Sequence, residues 1–560
     1  MRRKEQIFRF DVYVHLPEFR KGNSRSLHST VHDLNGVVPK LARAKKRMAG
    51  LENKICLRFV LMVLSFVILV ANAAGQENSY DIKHYDLTIE PDFVTKVIFL
   101  KARISIANPK LAKIFTFGLS DRYDSVTVTS AVSGFTVERS PGYATIVFEN
   151  PSTDMQLAFD ARGVLGRSND EDREIVADSS LFLLWSDRFY PIDFDDWATV
   201  TTRLIVPSRF QAIAPGKLID VKKAKEKVEY VFKTSTPAVC FSVIADSRWI
   251  KTERKIRFLR MQTLLYPQSQ KFAGQILATS YDIIASYSRT YCLYPFDQFT
   301  LVTISDINAR RAFPGFVGYN PEYLEKEFAT TGYDAHETAL LWWDYTIRGK
   351  GPGAFQWTEG FGDYAEFLYD EEHEKPIPKI FEFFRDKYLS LPVEQDLLYY
   401  ELTGSAPQEI IHGKYPWLMR VMHHVVGTSA FKNAMSLLFY KSRFHTFSMS
   451  EFVSTLEEGC GQSLKWWQEE WLERKGVPTI SFRSEVERSN GEYHITVFLK
   501  QQGNLYHLPV EIGIRTAKGL QIEKANISAK EMSFSFKSKE KPEGVLLDPN
   551  GWVLMRKTNE

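Results

Sequence analysis

Cysteine is scarce in this chain. Its 560 residues hold four, Cys56, Cys240, Cys292 and Cys460. None stands in a C-x-x-C pair, which excludes a disulfide framework and a cysteine-based metal knuckle. Cys56 falls in a segment read below as an export signal. The other three read as buried free thiols, with a single unassigned bridge left open. Excess charge is also lacking: 71 Lys and Arg against 68 Asp and Glu leave a net +3. So small an excess implies no nucleic-acid partner. There is no internal repeat and no low-complexity linker, which excludes solenoids and tethered arrays. Unbroken apolar runs are short, and the most prominent, Phe59 to Ala71, is thin for a full bilayer span.

What the chain does contain is ample material for buried cores. It is 44% hydrophobic, 14% aromatic and 25% charged. The length allows about three or four domains.

The amino-terminal stretch is distinct. Residues 1–47 carry twelve Lys or Arg against four acids, and 1–53 together read as a basic leader. Translation starting at Met48 would exclude 1–47, and the sequence leaves that choice open. In 54–74, Lys54 and Arg58 precede the apolar run, and Ala71-Asn72-Ala73 offers small residues at cleavage spacing. This reads as a secretory signal, with an uncleaved membrane anchor through 59–71 as the alternative. The mature body is then expected to be exported, periplasmic or extracellular, or held at a membrane.

From 79 to 253 short runs such as "YDLTIEPDF", "KVIFLKARISIANP" and "KVEYVFKT" are rich in β-branched and aromatic residues. They predict an antiparallel β-saddle or sandwich. From 255 to 478 apolar residues recur at helical spacing, as in "QKFAGQILATSYDIIASYSRTY" and "SAFKNAMSLLFYKS", with "FTLVTISDI" as a strand. From 479 to 560 strands return, the first two joined by the hairpin turn "SNGE" at 489–492, as a small immunoglobulin-like sandwich. The predicted class is α+β multidomain.

Residues 336–340 read "HETAL". On a helix, i and i+4 share a face, so His-Glu-x-x-His aims two imidazoles at one metal and sets the Glu beside it as general base. Here His336 and Glu337 open the pattern, but Leu340 stands at the fifth place. After eighteen intervening residues comes Glu359, in "WTEGFGDY", with Asp363 one turn further on and well placed to accept from His336.

At this point the chain resembles the M1 aminopeptidases, gluzincin zinc metallopeptidases related to alanine aminopeptidase and leukotriene A4 hydrolase. The resemblance rests on "W-x-E-G-F-x-x-Y" at 357–364, on "YPFDQFTLVTI" at 294–304, and on the helical stretches 414–442 and 463–480. It implies a β-saddle, a thermolysin-like α-rich catalytic-type domain and a small carboxy-terminal β-sandwich. A large helical domain of the kind that ends many members is not expected here. It further implies zinc held by His336 and Glu359, with Glu337 as catalytic base. The second histidine of the family maps to Leu340 and the oxyanion tyrosine to His412. The exopeptidase loop maps to 309–313, "ARRAF", which puts Ala312 in place of the glutamate that holds a substrate's amino group.

Catalytic zinc needs three protein ligands and an open place for water, and leucine has no lone pair. The expectation is therefore a degenerate site with weak or lost zinc, a pseudoenzyme that binds a peptide or protein. Glu337 and Glu359 would face each other without a metal ion between them. A protonated His336, or Arg310 or Arg311 from the altered loop, would relieve their repulsion. The alternative is a working aminopeptidase with a substitute ligand: Asp344, His412, or the pair His423 and His424. A third reading, a sugar-binding sandwich, draws on the tryptophans at 342, 343, 357, 417, 466, 467 and 471, whose spacing fits core packing better.

Overall fold

The computed structural model describes residues 80–165, 174–257, 259–330 and 335–559. The basic leader, the export segment 54–74 and Cys56 lie outside the described residues. Among the described residues no helix is long and apolar enough to cross a membrane.

The chain folds as a multidomain α+β protein. Its first part is built on a seven-stranded sheet. In spatial order the strands are Lys217–Lys223, Lys227–Lys233, Thr199–Pro207, Asp81–Pro91, Ile98–Ala107, Asp154–Gly163 and Tyr123–Ser130. Strict alternation makes these strands: in Ile98–Ala107, Ile98, Leu100, Ala102, Ile104 and Ile106 point inward while Lys101 and Arg103 face out. The sheet is not wholly antiparallel as the sequence predicts. Asp81–Pro91 pairs in parallel with Thr199–Pro207, after the intervening chain has added three strands to this sheet and built a small sheet of Ile114–Gly118, Phe135–Ser140 and Tyr143–Phe148.

The middle part is centred on a five-stranded mixed sheet. Its order is Ile250–Ile256, Leu259–Leu265, Gln298–Thr303, Phe316–Tyr319 and Arg310–Phe313. Ile250–Ile256 hydrogen-bonds to Leu259–Leu265, so the expected boundary at 253–255 falls inside a strand of this sheet. The helices are α1 (Ala273–Thr290), α2 (Pro321–Thr330), α3 (His336–Trp343), α4 (Ala354–Glu372), α5 (Lys379–Ser390), α6 (Gln408–Val426), α7 (Thr428–Lys441) and α8 (Met449–Cys460). A separate apolar cluster that includes Trp249, Val302, Ile304 and Phe316 seals this sheet against the small sheet of Ser180–Leu183, Gln211–Ile213 and Val243–Asp246.

The last part pairs a four-stranded sheet (Glu531–Ser538, Glu492–Gln502, Thr479–Ser489, Arg556–Asn559) with a three-stranded one (Gly519–Ile527, Leu508–Thr516, Pro542–Leu547). Asn490 and Gly491, both at positive φ, make the two-residue turn that fixes the first hairpin. One main core cluster runs from Ile82 to Met555 through all three parts. Trp342, Trp343, Trp357, Trp417, Trp467 and Trp471 are fully buried in it, which removes them as a sugar platform. Cys240, Cys292 and Cys460 are free thiols.

Candidate functional site

Four elements converge on one polar pocket. The edge strand Arg310–Phe313 brings Arg310 and Ala312, α3 brings His336, Glu337 and Leu340, α4 brings Glu359 and Asp363, and α6 brings His412. Helix α3 is buried along its whole length, an unusual place for His336 and Glu337, each only 5% exposed. Buried charges persist only when paired, so their partners define the site.

His336 sits among three carboxylates. Its Nδ1 lies 2.7 Å from Asp363 Oδ1. Its Nε2 lies 3.2 Å from Glu359 Oε1 and 3.9 Å from Glu337 Oε1. Burial alone would lower the imidazole pKa and is the largest single influence. The Asp363 charge beside Nδ1 and the hydrogen bond with Glu359 outweigh it, leaving the pKa well above its ordinary value. Asp363, with no exposed surface, is held below the usual carboxylate range: burial pushes it up, but the charges of His412 and His336 pull it further down.

The same Asp363 reaches a second imidazole. His412 Nδ1 lies 2.6 Å from Asp363 Oδ2, and His412 Nε2 lies 3.0 Å from Gln408 Oε1 one turn back on α6. This histidine–aspartate–histidine chain is absent from the sequence reading, which gave Asp363 only one partner. The signal for it was a histidine at the tyrosine position together with an acid one turn beyond Glu359. Pro416 adds a local device: it has no N–H for the carbonyl of His412 four residues back in α6.

Arg310 closes the pocket on the other side. Its Nε lies 3.3 Å from Glu337 Oε1, and its Nη1 donates to Tyr323 Oη at 2.9 Å. The part of Tyr323, on α2, was not foreseen. Arg311 pairs in register with Gly318, and its charge bears on the buried Tyr345. Ala312 is buried, and its carbonyl accepts from Tyr345 Oη at 3.0 Å.

Leu340 is 7% exposed and packs against α4, where its Cδ2 would lie 3.1 Å from a Cβ added at Gly362. The absence of a side chain at Gly362 is what lets this leucine seat.

The proposed substitute ligands are committed elsewhere. Asp344 holds Arg348 at 2.8 Å, and Arg348 also donates to Cys240 Sγ at 3.3 Å. Both His412 nitrogens are engaged as described. His423 Nδ1 meets Tyr364 Oη at 2.7 Å and its Nε2 meets Thr428 Oγ1 at 3.1 Å. His424 stacks on Trp552, with ring centroids 5.0 Å apart. Among the described residues no group of three or more His, Cys, Asp or Glu side chains is arranged to hold a metal ion.

Of these side chains His336 and Glu359 could ligate a metal ion, Leu340 has no lone pair to offer, and a guanidinium stands beside Glu337. A carboxylate paired with a guanidinium is also a poorer proton acceptor, because the pair favours its charged form.

A crystal structure of Legionella pneumophila aminopeptidase A in complex with aspartic acid superposes on 87% of this chain with a TM-score of 0.69 at 15% sequence identity. The fold is aminopeptidase-like. The chain spans 60% of the length of that aminopeptidase. No protein-family model matches the chain, and no curated protein does.

Proposed function

We propose that the chain is an exported, degenerate member of the M1 gluzincin family that binds a peptide or protein without hydrolysing it. The observation that carries this reading is Leu340, a hydrocarbon side chain packed on α4 where a zinc ligand belongs. Two further features support it. Ala312 has no carboxylate to hold an amino terminus, and Glu337 is paired with Arg310 instead of being free to take a proton from water. His412 retains one capacity of the lost tyrosine, since imidazole can donate a hydrogen bond. Losing an oxyanion donor costs about 10²–10³ in rate, and losing the activated water costs more.

The test is metal content and turnover of the protein purified from zinc-supplemented medium. The reading expects well under one zinc per chain and no release of amino-terminal residues from a panel of aminoacyl substrates. One tightly held zinc with turnover would reverse it. Peptides that begin with Asp are the first binding probes, because the similar aminopeptidase holds aspartic acid. Sequencing the amino terminus of protein recovered from the cell exterior or membrane fraction tests export and separates cleavage near Ala73 from anchoring.

A further inference from the structure

We infer that Arg310 is a built-in replacement for the missing metal charge, and that it keeps the pocket closed to a divalent ion even if the lost imidazole is restored. This rests on the reading that the site holds no zinc.

Glu337 is a carboxylate buried in a helix that has no exposed residue. Such a group needs a nearby positive charge. The guanidinium of Arg310 supplies one at 3.3 Å, with only 18% of the arginine side chain and 7% of the glutamate exposed. Arginine suits the task better than a lysine or a histidine, because its charge does not titrate away.

Its position is fixed from two directions. Nη1 is held by Tyr323, whose ring also lies under the guanidinium, 5.5 Å from centroid to Cζ. The backbone of Arg310 is fixed by pairing with Tyr319 in the sheet. The residue is therefore placed by strand, helix and aromatic ring together, as a designed contact is and a stray surface arginine is not. Glu337 Oε1, which receives this guanidinium, is also 3.9 Å from His336 Nε2. A divalent ion bound at His336 would then sit close to a fixed like charge, whose repulsion weakens binding by at least about tenfold.

The test proteins are the unaltered chain, Arg310→Met, Leu340→His and the double variant Leu340→His/Arg310→Met, with Arg310→Lys variants as controls. Zinc affinity is read by competition with a chromophoric chelator, and Tm is read with and without zinc or EDTA. The unaltered chain should be indifferent to zinc and EDTA. Arg310→Met should melt several degrees lower in zinc-free buffer, while Arg310→Lys, which keeps a charge, should recover most of the loss. The double variant should bind zinc at least about tenfold tighter than Leu340→His alone, and zinc should raise its Tm. If Arg310→Met does not fold, Leu340→His compared with Leu340→His/Arg310→Lys carries the test, with the lysine weakening zinc less than the arginine does. Equal zinc affinity with and without Arg310, or an unchanged Tm in Arg310→Met, overturns the inference. Failure of the underlying reading looks different: the unaltered chain itself would carry zinc and melt earlier in EDTA.

Discussion

Lys414 gives the sharpest test of how this fold treats buried charge. Its side chain is 1% exposed and its Nζ lies 2.8 Å from Asp396 Oδ2, itself 2% exposed. The same oxygen accepts from Tyr388 Oη at 3.0 Å and from the backbone N–H of Gly476 at 2.7 Å, while Oδ1 accepts from Leu397 N at 2.8 Å. One carboxylate thus ties α5, α6 and the strap leading to the last sandwich. Burial pushes the Lys414 pKa below its ordinary value, and Asp396 restrains the fall. Lys414→Met keeps the length of the side chain and removes the charge. Asp396 then remains buried with neutral donors alone, a change that costs about 3–5 kcal/mol. Lys414→Met/Asp396→Asn removes both charges and should lose markedly less. The assay is urea unfolding followed by tryptophan fluorescence, with a double-mutant cycle on the two positions. A single variant no less stable than the double would refute the reasoning.

Two other predictions concern α6. Gly360→Ala would bring a Cβ within 2.6 Å of the Ile411 carbonyl oxygen and of Tyr415 Cβ. The gain in helix propensity of about 1 kcal/mol should be outweighed, for a net loss of about 1–3 kcal/mol by urea unfolding; a stabilised variant would contradict the packing described. His423 has its pKa lowered from 6.5 to about 4, first by burial and then by the Arg420 charge. The unfolded chain takes up the proton near pH 6.5 and the native state only near 4, so stability should be flat above that window and fall as pH drops through it. The total is about 3 kcal/mol, and His423→Gln should flatten the profile.

Much of the fold was legible because period-2 and helical patterns survive wherever one face is buried. The hairpin at 489–492 was legible because Asn-Gly favours that turn. The parallel pairing of Asp81–Pro91 with Thr199–Pro207 was not, since alternation marks a strand without naming its neighbour. The boundary near 253 failed for a related reason: nothing local in Ile250–Ile256 says which sheet it joins. At the site, adjacency on α3 placed His336 and Glu337 together, and the resemblance to a known motif brought Glu359 to them from α4. The contacts of Asp363 with His412 and of Arg310 with Tyr323 join residues 49 and 13 positions apart. Such contacts depend on how separate elements pack, which no local pattern encodes.

Helix α6 is a rod of 19 residues, about 28 Å long. Near one end it carries His412. Further along, Arg420 donates to the carbonyls of Asn550 and Gly551 and lies over the ring of Trp552. Whatever presses on the pocket therefore leans on a beam whose far end is bolted to the rear module. Trimming the chain after residue 478 would unbolt it and loosen the recess from behind.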